Sequence, residues 1–219
     1  LQRQIDTFAR SGALTEALSA VPVPVVAINT QRQIVYANAA MVEMVGVDTP
    51  EALMSLRLGE VLGCSHVLQG EDGCGTSEFC RYCGAARAIV GSSEEALLGE
   101  EARIIRDSAD APAALDLRVT ARPFPLEGDV FTLLTMTDIS DQKRRHTLER
   151  IFFHDILNTV QKMRLAVDLL SETDGEEADM LRETVRRAVS RLTQEIRAQR
   201  DLVDMESSEL TVVPGEIRT

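Results

Sequence analysis

Aromatic residues are scarce: tryptophan is absent, and there are two tyrosines and six phenylalanines in 219 residues. Few rings are left for stacking on bases, the usual grip on single-stranded nucleic acid. Positive charge is also short, with Lys+Arg 23 against Asp+Glu 35 and a net charge of −12. That balance repels phosphate backbones and anionic headgroups, so direct nucleic-acid binding is disfavoured. No run approaches the ~18–20 apolar residues of a membrane-spanning helix, and the basic-then-apolar layout of a signal peptide is missing. A cytoplasmic chain with no membrane segment is therefore expected. It starts at Leu1 rather than Met, as a fragment would, and any upstream sensor or membrane segment would lie outside it. Internal repeats are absent as well. What remains is ordinary globular usage, 44% hydrophobic and 26% charged, enough for one good-sized domain or two small ones.

Two periodicities divide the chain. From Pro22 to about Ser140 the pattern is mixed. Val25-Val26-Ala27-Ile28-Asn29 and Gln33-Ile34-Val35-Tyr36-Ala37-Asn38 read as a strand pair, and Ala39 to Val45 as a short helix ended by Gly46. Ala102 to Arg106, Ala114 to Arg122 and Val130 to Thr137 read as three further strands, with turns at Ala111-Pro112 and Glu127-Gly128-Asp129. Leu115, Leu117 and Val119 alternate with Asp116, Arg118 and Thr120, the pattern of a half-buried antiparallel strand. This is an α+β domain.

After Asp138-Ile139-Ser140 the period becomes helical. Leu148, Phe152, Ile156, Val160, Met163, Val167 and Leu170 form one stripe, and Leu181, Val185, Ala188, Leu192, Ile196 and Val203 another, interrupted by Gln199. Thr173-Asp174-Gly175 reads as the turn between them. A lone antiparallel hairpin leaves apolar surface exposed, so a second copy is expected to complete a four-helix bundle. The expected divisions are a helical lead-in over 1–18, the α+β domain over 19–140, the long helices over 141–208 and a linker over 209–219.

The first half resembles a PAS domain, the sensory module of many bacterial signalling proteins. The resemblance is carried by Val25-Val26-Ala27-Ile28-Asn29, by Ile34 to Ala40, and by Thr135-Met136-Thr137-Asp138-Ile139-Ser140 at the exit of the last strand. The second half resembles the dimerisation and histidine-phosphotransfer domain of a sensor histidine kinase, through Phe152-Phe153-His154-Asp155-Ile156-Leu157-Asn158. The proline common a few residues after that histidine is absent, since Thr159-Val160 follow Asn158. The resemblance implies a two-component sensor kinase whose PAS domain detects a redox state, metal or small molecule. Its expected partners are a second copy, the receiver domain of a response regulator, and an ATP-binding domain in cis or in trans. No glycine-rich nucleotide loop follows the second helix, so ATP would enter only through that domain and this chain alone would be inactive as an enzyme.

His154 lies two positions from both Phe152 and Ile156, about 200° around a helix, so it points away from the apolar stripe. A neutral imidazole attacks phosphorus through one nitrogen while a neighbouring carboxylate takes the proton from the other. Asp155 is the candidate base. Asn158, one turn on, is implied by the resemblance to hold water for dephosphorylating the response regulator. His146 reads as a plain helix residue.

All four cysteines, Cys64, Cys74, Cys80 and Cys83, fall within the segment 63–85, and Cys80-x-x-Cys83 is a chelating pair. Such a cluster in a cytoplasmic chain points to zinc, an iron–sulfur cluster or a thiol–disulfide switch, although the spacing matches neither ferredoxin pattern. Inert reduced thiols remain open. His66 is an alternative ligand, and its Cys-x-His setting argues against haem. The light-sensing Asn-Cys-Arg-Phe pattern of flavin-binding relatives is absent. Phe79 and Tyr82 read as packing residues, Arg81 and Arg87 as solvated charges. Two other functional classes compete: a non-catalytic dimeric phosphotransfer adaptor, and a metal-dependent enzyme, which no acid–base constellation supports.

Overall fold

Short β-branched runs form five strands, joined into one antiparallel sheet. The computed structural model describes residues 1–92, 99–106 and 114–207. The chain forms two compact units, Leu1–Arg144 and Arg145–Thr219. In the first, α1 (Gln2–Arg10) and α2 (Gly12–Ser19) precede β1 (Val25–Ile28) and β2 (Ile34–Ala37). Then come α3 (Ala39–Val45), α4 (Leu58–Val61), α5 (Gly84–Gly91), β3 (Glu100–Ile105), β4 (Ala114–Leu126) and β5 (Asp129–Asp138). The sheet order is β2-β1-β5-β4-β3. Residue alternation sends side chains to opposite faces, and each face has its own core. One face packs Val26, Ile28, Leu117, Val119, Leu134 and Met136 against Met41, Leu58, Leu62 and Ala88. The other packs Ala27, Val35, Tyr36 and Phe131 around Phe8.

Phe8 makes the lead-in helices part of the domain. It is 1% exposed, stacks on Tyr36 at 5.4 Å and meets Phe131 edge-on at 5.1 Å. The helical lead-in expected over 1–18 thus shares a core with the sheet.

β4 runs to Leu126, four residues past the end expected at Arg122. Pro123 and Pro125 are tolerated because β3 covers β4 only as far as Val119, leaving the later part an edge on that side. Glu127 (φ 47°) and Gly128 (φ 85°) then close the β4–β5 hairpin, both in the left-handed region that a two-residue turn with native twist demands. The Ala111-Pro112 turn lies outside the described residues.

In the second unit, α6 (Ser140–Leu170, whose first turn belongs to the first unit) and α7 (Glu176–Ser207) are joined through Gly175. Ala166 and Ala178 are buried, while Phe152, Ile156, Met163, Leu170, Leu181, Val185, Ala188 and Leu192 are half-buried. The stripe expected on α6 thus splits, since Leu148, Val160 and Val167 are exposed. Val203 and the linker over 209–219 lie outside the residues whose side chains are described. Among the described residues no helix is long and apolar enough to cross a membrane.

Asn38 ties several elements together. Its Oδ1 accepts from Val25 N (2.9 Å) and caps α3 by accepting from Met41 N (3.0 Å). Its Nδ2 lies within hydrogen-bonding distance of the carbonyls of Leu18, Val21 and Val23, at 3.3, 3.1 and 2.9 Å. Replacing this 1%-exposed amide strands buried backbone groups. Asn38→Ala is expected to cost the sheet domain about 2–4 kcal/mol. Urea denaturation followed by circular dichroism should show this as an earlier midpoint, and an unshifted midpoint would contradict it.

Candidate functional site

The chain between β2 and β3 carries the cysteines, and separate contacts pin each part of it. Cys64 follows α4 and forms an isolated bridge with Arg106, while Ser65 N donates to Ile105 O at 2.8 Å. Cys74 sits in a loop whose carbonyl accepts from Arg57 Nη1 at 3.2 Å. Its sulfur accepts from Gly59 N at 3.3 Å. Cys80 lies in the turn Glu78–Tyr82, with its sulfur 3.2 Å from Ser77 Oγ. Cys83 is the N-cap of α5.

All four cysteines and His66 line one cavity of about 330 Å³. Leu58, Leu62, Ala85, Ile89 and Ile104 give it apolar walls, and Arg32, Arg57, Arg103 and Lys143 bring positive charge to it. Two glycines make the packing possible. A Cβ on Gly59 would lie 2.5 Å from Cys74 Sγ, and one on Gly84 would lie 2.1 Å from the carbonyl oxygen of Glu101. Among the described residues, no three Cys, His, Asp or Glu side chains converge tightly enough to hold a single metal ion. His66 stacks on Phe79 at 4.4 Å, with Nδ1 3.8 Å from Cys64 Sγ. Tyr82 is 82% exposed, so it is not the packing residue that its aromatic character suggested.

Burial pushes the Cys74 thiol up to about 11 and raises Cys64 as well. Both are therefore neutral thiols near pH 7, poor nucleophiles for disulfide exchange.

The same cavity touches the start of α6. Lys143 Nζ lies 3.0 Å from Glu101 and 3.2 Å from Asp116, and Arg103 lies 3.7 Å from Asp116. The hydrogen bond to Glu101 is the main reason that Lys143 titrates higher than usual, and the reciprocal bond lowers Glu101. Asp116 is 7% exposed despite its polar place in the strand alternation. Its backbone N donates to Ser140 Oγ and its carbonyl accepts from Ile139 N, each at 2.9 Å, so β4 holds the beginning of α6. Sequence reading missed these charges, because a lysine in the run Lys143-Arg144-Arg145 carries no sign that distinguishes it from a solvated neighbour.

The second group of candidates lies on α6. His154 is exposed, with Nδ1 3.3 Å from Asp155 Oδ1. Asn158 Nδ2 lies 3.2 Å from Nδ1 and 3.4 Å from Nε2, against the ring. Arg191 of α7 feels the charge of Asp155, although its own hydrogen bond goes to Glu195 at 2.7 Å. His146 lies 3.5 Å from Glu149, also in the open.

The half-buried Cys74 thiol supplies a measurement. In metal-free protein, Cys74 is expected to alkylate slowly at pH 7.5, with a rate that climbs about tenfold per pH unit up to about pH 11. Stability should fall as pH rises from about 9, the ordinary thiol value, to about 11, because the unfolded chain gives up this proton before the folded one does. A rate that levels off by pH 9, read by peptide mass spectrometry, would contradict the burial.

Residues 13–70 match the family model described as the PAS fold. No curated protein matches the chain. Among solved structures, a PAS domain from a two-component sensor histidine kinase is 11% identical, covering 59% of this chain and 96% of that one, with a TM-score of 0.38. The PAS domain of nitrogen regulation protein NR(II) from Vibrio parahaemolyticus is 13% identical over 57% and 96%, with a TM-score of 0.40. That of BvgS from Bordetella pertussis is 13% identical over 65% and 98%, with a TM-score of 0.42. The match over residues 13–70 and the five-stranded antiparallel sheet give the first unit the α+β architecture of the PAS fold.

Proposed function

We propose that this chain is the sensory and phosphoacceptor part of a two-component sensor histidine kinase. The observation that carries the reading is the exposed pair His154 and Asp155 on α6 with the half-buried Asn158 against the imidazole. That helix begins immediately after the last PAS strand, with only Ile139 between them. A catalytic domain, in cis or in trans, would present ATP to His154. The Nε2 lone pair attacks the γ-phosphorus as the bond to the ADP oxygen breaks, and the Nδ1 proton passes toward Asp155 Oδ1. The phosphoryl group then moves to an aspartate of a receiver domain. Asn158 orients water for the reverse task of clearing phosphate from that receiver.

The helices are proposed to work as a homodimer. Leu148, Ile151, Phe153, Leu157, Val160 and Val167 remain exposed on α6, more apolar surface than an isolated hairpin keeps in water. A second copy would bury that surface in a four-helix bundle. At micromolar concentration, light scattering of the full chain should return twice the 24.1 kDa chain mass. A monodisperse monomer would overturn this part of the reading.

With a matching ATP-binding domain added, acid-labile phosphate is expected on His154 alone. His154→Gln should abolish it, and Asp155→Asn should slow labelling by about 10²-fold with the fold intact, since the amide cannot accept the proton. Asn158→Ala should mainly impair dephosphorylation of the receiver. Label that persists in His154→Gln would refute the assignment.

A further inference from the structure

We infer that the cavity lined by α4, α5 and β3 binds a small organic acid, with its carboxylate on Arg32 and Arg57 and its apolar body against Leu62, Ile89 and Ile104. The inference deepens the sensory part of the reading above, on which it rests for its role in signalling but not for its chemistry.

Charge at this cavity runs against the rest of the chain. In a protein of net charge −12, the basic side chains of Arg32, Arg57, Arg103 and Lys143 line it against one carboxylate, Glu101. Lys143 is matched to Glu101 and Asp116 at 3.0 and 3.2 Å, and Arg103 to Asp116 at 3.7 Å. Arg32 and Arg57, both half-buried, hold neutral carbonyls instead. Arg32 Nη1 donates to Gly75 O at 3.4 Å, and Arg57 Nη1 donates to Cys74 O at 3.2 Å and to Asp72 O. One loop thus anchors both guanidiniums. The turn that carries Arg32 is itself fixed, since Asn29 Oδ1 accepts from Gln31 N and Gln33 N at 3.0 and 2.9 Å. Glu60 commits its carboxylate to Arg57 N at 2.8 Å, at the start of α4. A carbonyl satisfies the hydrogens of a guanidinium but does not balance its charge, and a carboxylate does both.

The remaining walls select the body of that acid. Leu58, Leu62, Ala85, Ile89 and Ile104 are apolar, and the volume of about 330 Å³ lies at the small end of ligand pockets, which span about 300–1,000 Å³. A bare inorganic anion gains nothing from such walls, whereas an aromatic or branched aliphatic body buries against them. An added ammonium is disfavoured, because Glu101 is already engaged by Lys143 at 3.0 Å and by Arg118 at 3.2 Å. The ligand class is therefore a monocarboxylate with an apolar body and no amine. Lys143 is the lining residue carried by α6, so negative charge brought into the cavity acts on the same ammonium that Glu101 and Asp116 hold at the base of that helix.

The test is isothermal titration calorimetry of the full chain, reduced and at fixed ionic strength, with 3-phenylpropionate, its neutral amide, L-phenylalanine and inorganic phosphate. Benzoate and 4-methylpentanoate extend it to a shorter aromatic and a branched aliphatic body. At least one of the three acids should saturate at one per chain, and the amide, phenylalanine and phosphate should each bind about tenfold or more weakly than that acid. Arg32→Gln and Arg57→Gln should each weaken the acid by about tenfold, with circular dichroism separating lost binding from lost folding. Arg81→Gln, an exposed position outside the cavity lining, should leave affinity unchanged. No saturable heat from any of the acids, equal binding of the amide, phenylalanine or phosphate, or unchanged affinity in both folded arginine variants would overturn the inference. Labelling of His154, measured without added acid, reports the phosphotransfer reading separately, so that either can fail while the other stands.

Discussion

The PAS-like fold of the first unit is governed by one topological demand: after β2 at one edge of the sheet, the chain must reach β3 at the other. The connection has to cross the full width of a sheet whose residues on that face are apolar. It does so by laying α3, α4 and α5 over Val26, Ile28, Leu117, Val119 and Leu134, burying Met41, Leu58, Leu62 and Ala88. Polar backbone within such a crossing needs partners, and Asn38 provides them at its start. Midway along it, Ser65 donates to Ile105 at the end of β3 and Cys64 bridges to Arg106 just beyond. The cysteines are therefore carried by the one segment that sheet order forces to close over the core.

Charge near the end of that crossing is arranged differently from charge on the long helices. Asp116 is buried, accepts a hydrogen bond from Lys143 and pairs with Arg103 at 3.7 Å, so its contribution is screened less by water or salt. On α7, pairs such as Arg182 with Asp179 and Arg191 with Glu195 lie at the surface, where each contributes roughly 0.2–0.5 kcal/mol. Ionic strength should thus act mainly on the helices and leave the junction of β4 with α6 nearly untouched.

Much of this fold was legible from periodicity. The β-branched pairs around Asn29 and the alternation from Leu115 to Val119 mark strands because side-chain direction repeats every two residues. Strand ends were less legible: Pro123 and Pro125 argue against a strand until it is known which edge is uncovered. Asp116 reads as an outward residue because alternation cannot show that a lysine and an arginine will fold over it. The α6 stripe was read as one continuous face, yet Val160 and Val167 drift out of the contact that Phe152, Ile156 and Met163 make. Spacing of three and four residues tolerates such drift. For the site, cysteine spacing groups the thiols only along the chain, and the fold shows that they line one cavity without converging, among the described residues, on a metal-holding group.

The pairing of β1 with β5 has a consequence for synthesis. Val25 lies opposite Thr135, so β1 cannot complete its place in the sheet until more than a hundred further residues have been made. At translation rates of about 5–20 residues per second, that wait is roughly five to twenty seconds. Throughout it, Val25-Val26-Ala27-Ile28 presents an apolar strand with one edge unpaired, long enough for a chaperone to bind before the domain can fold.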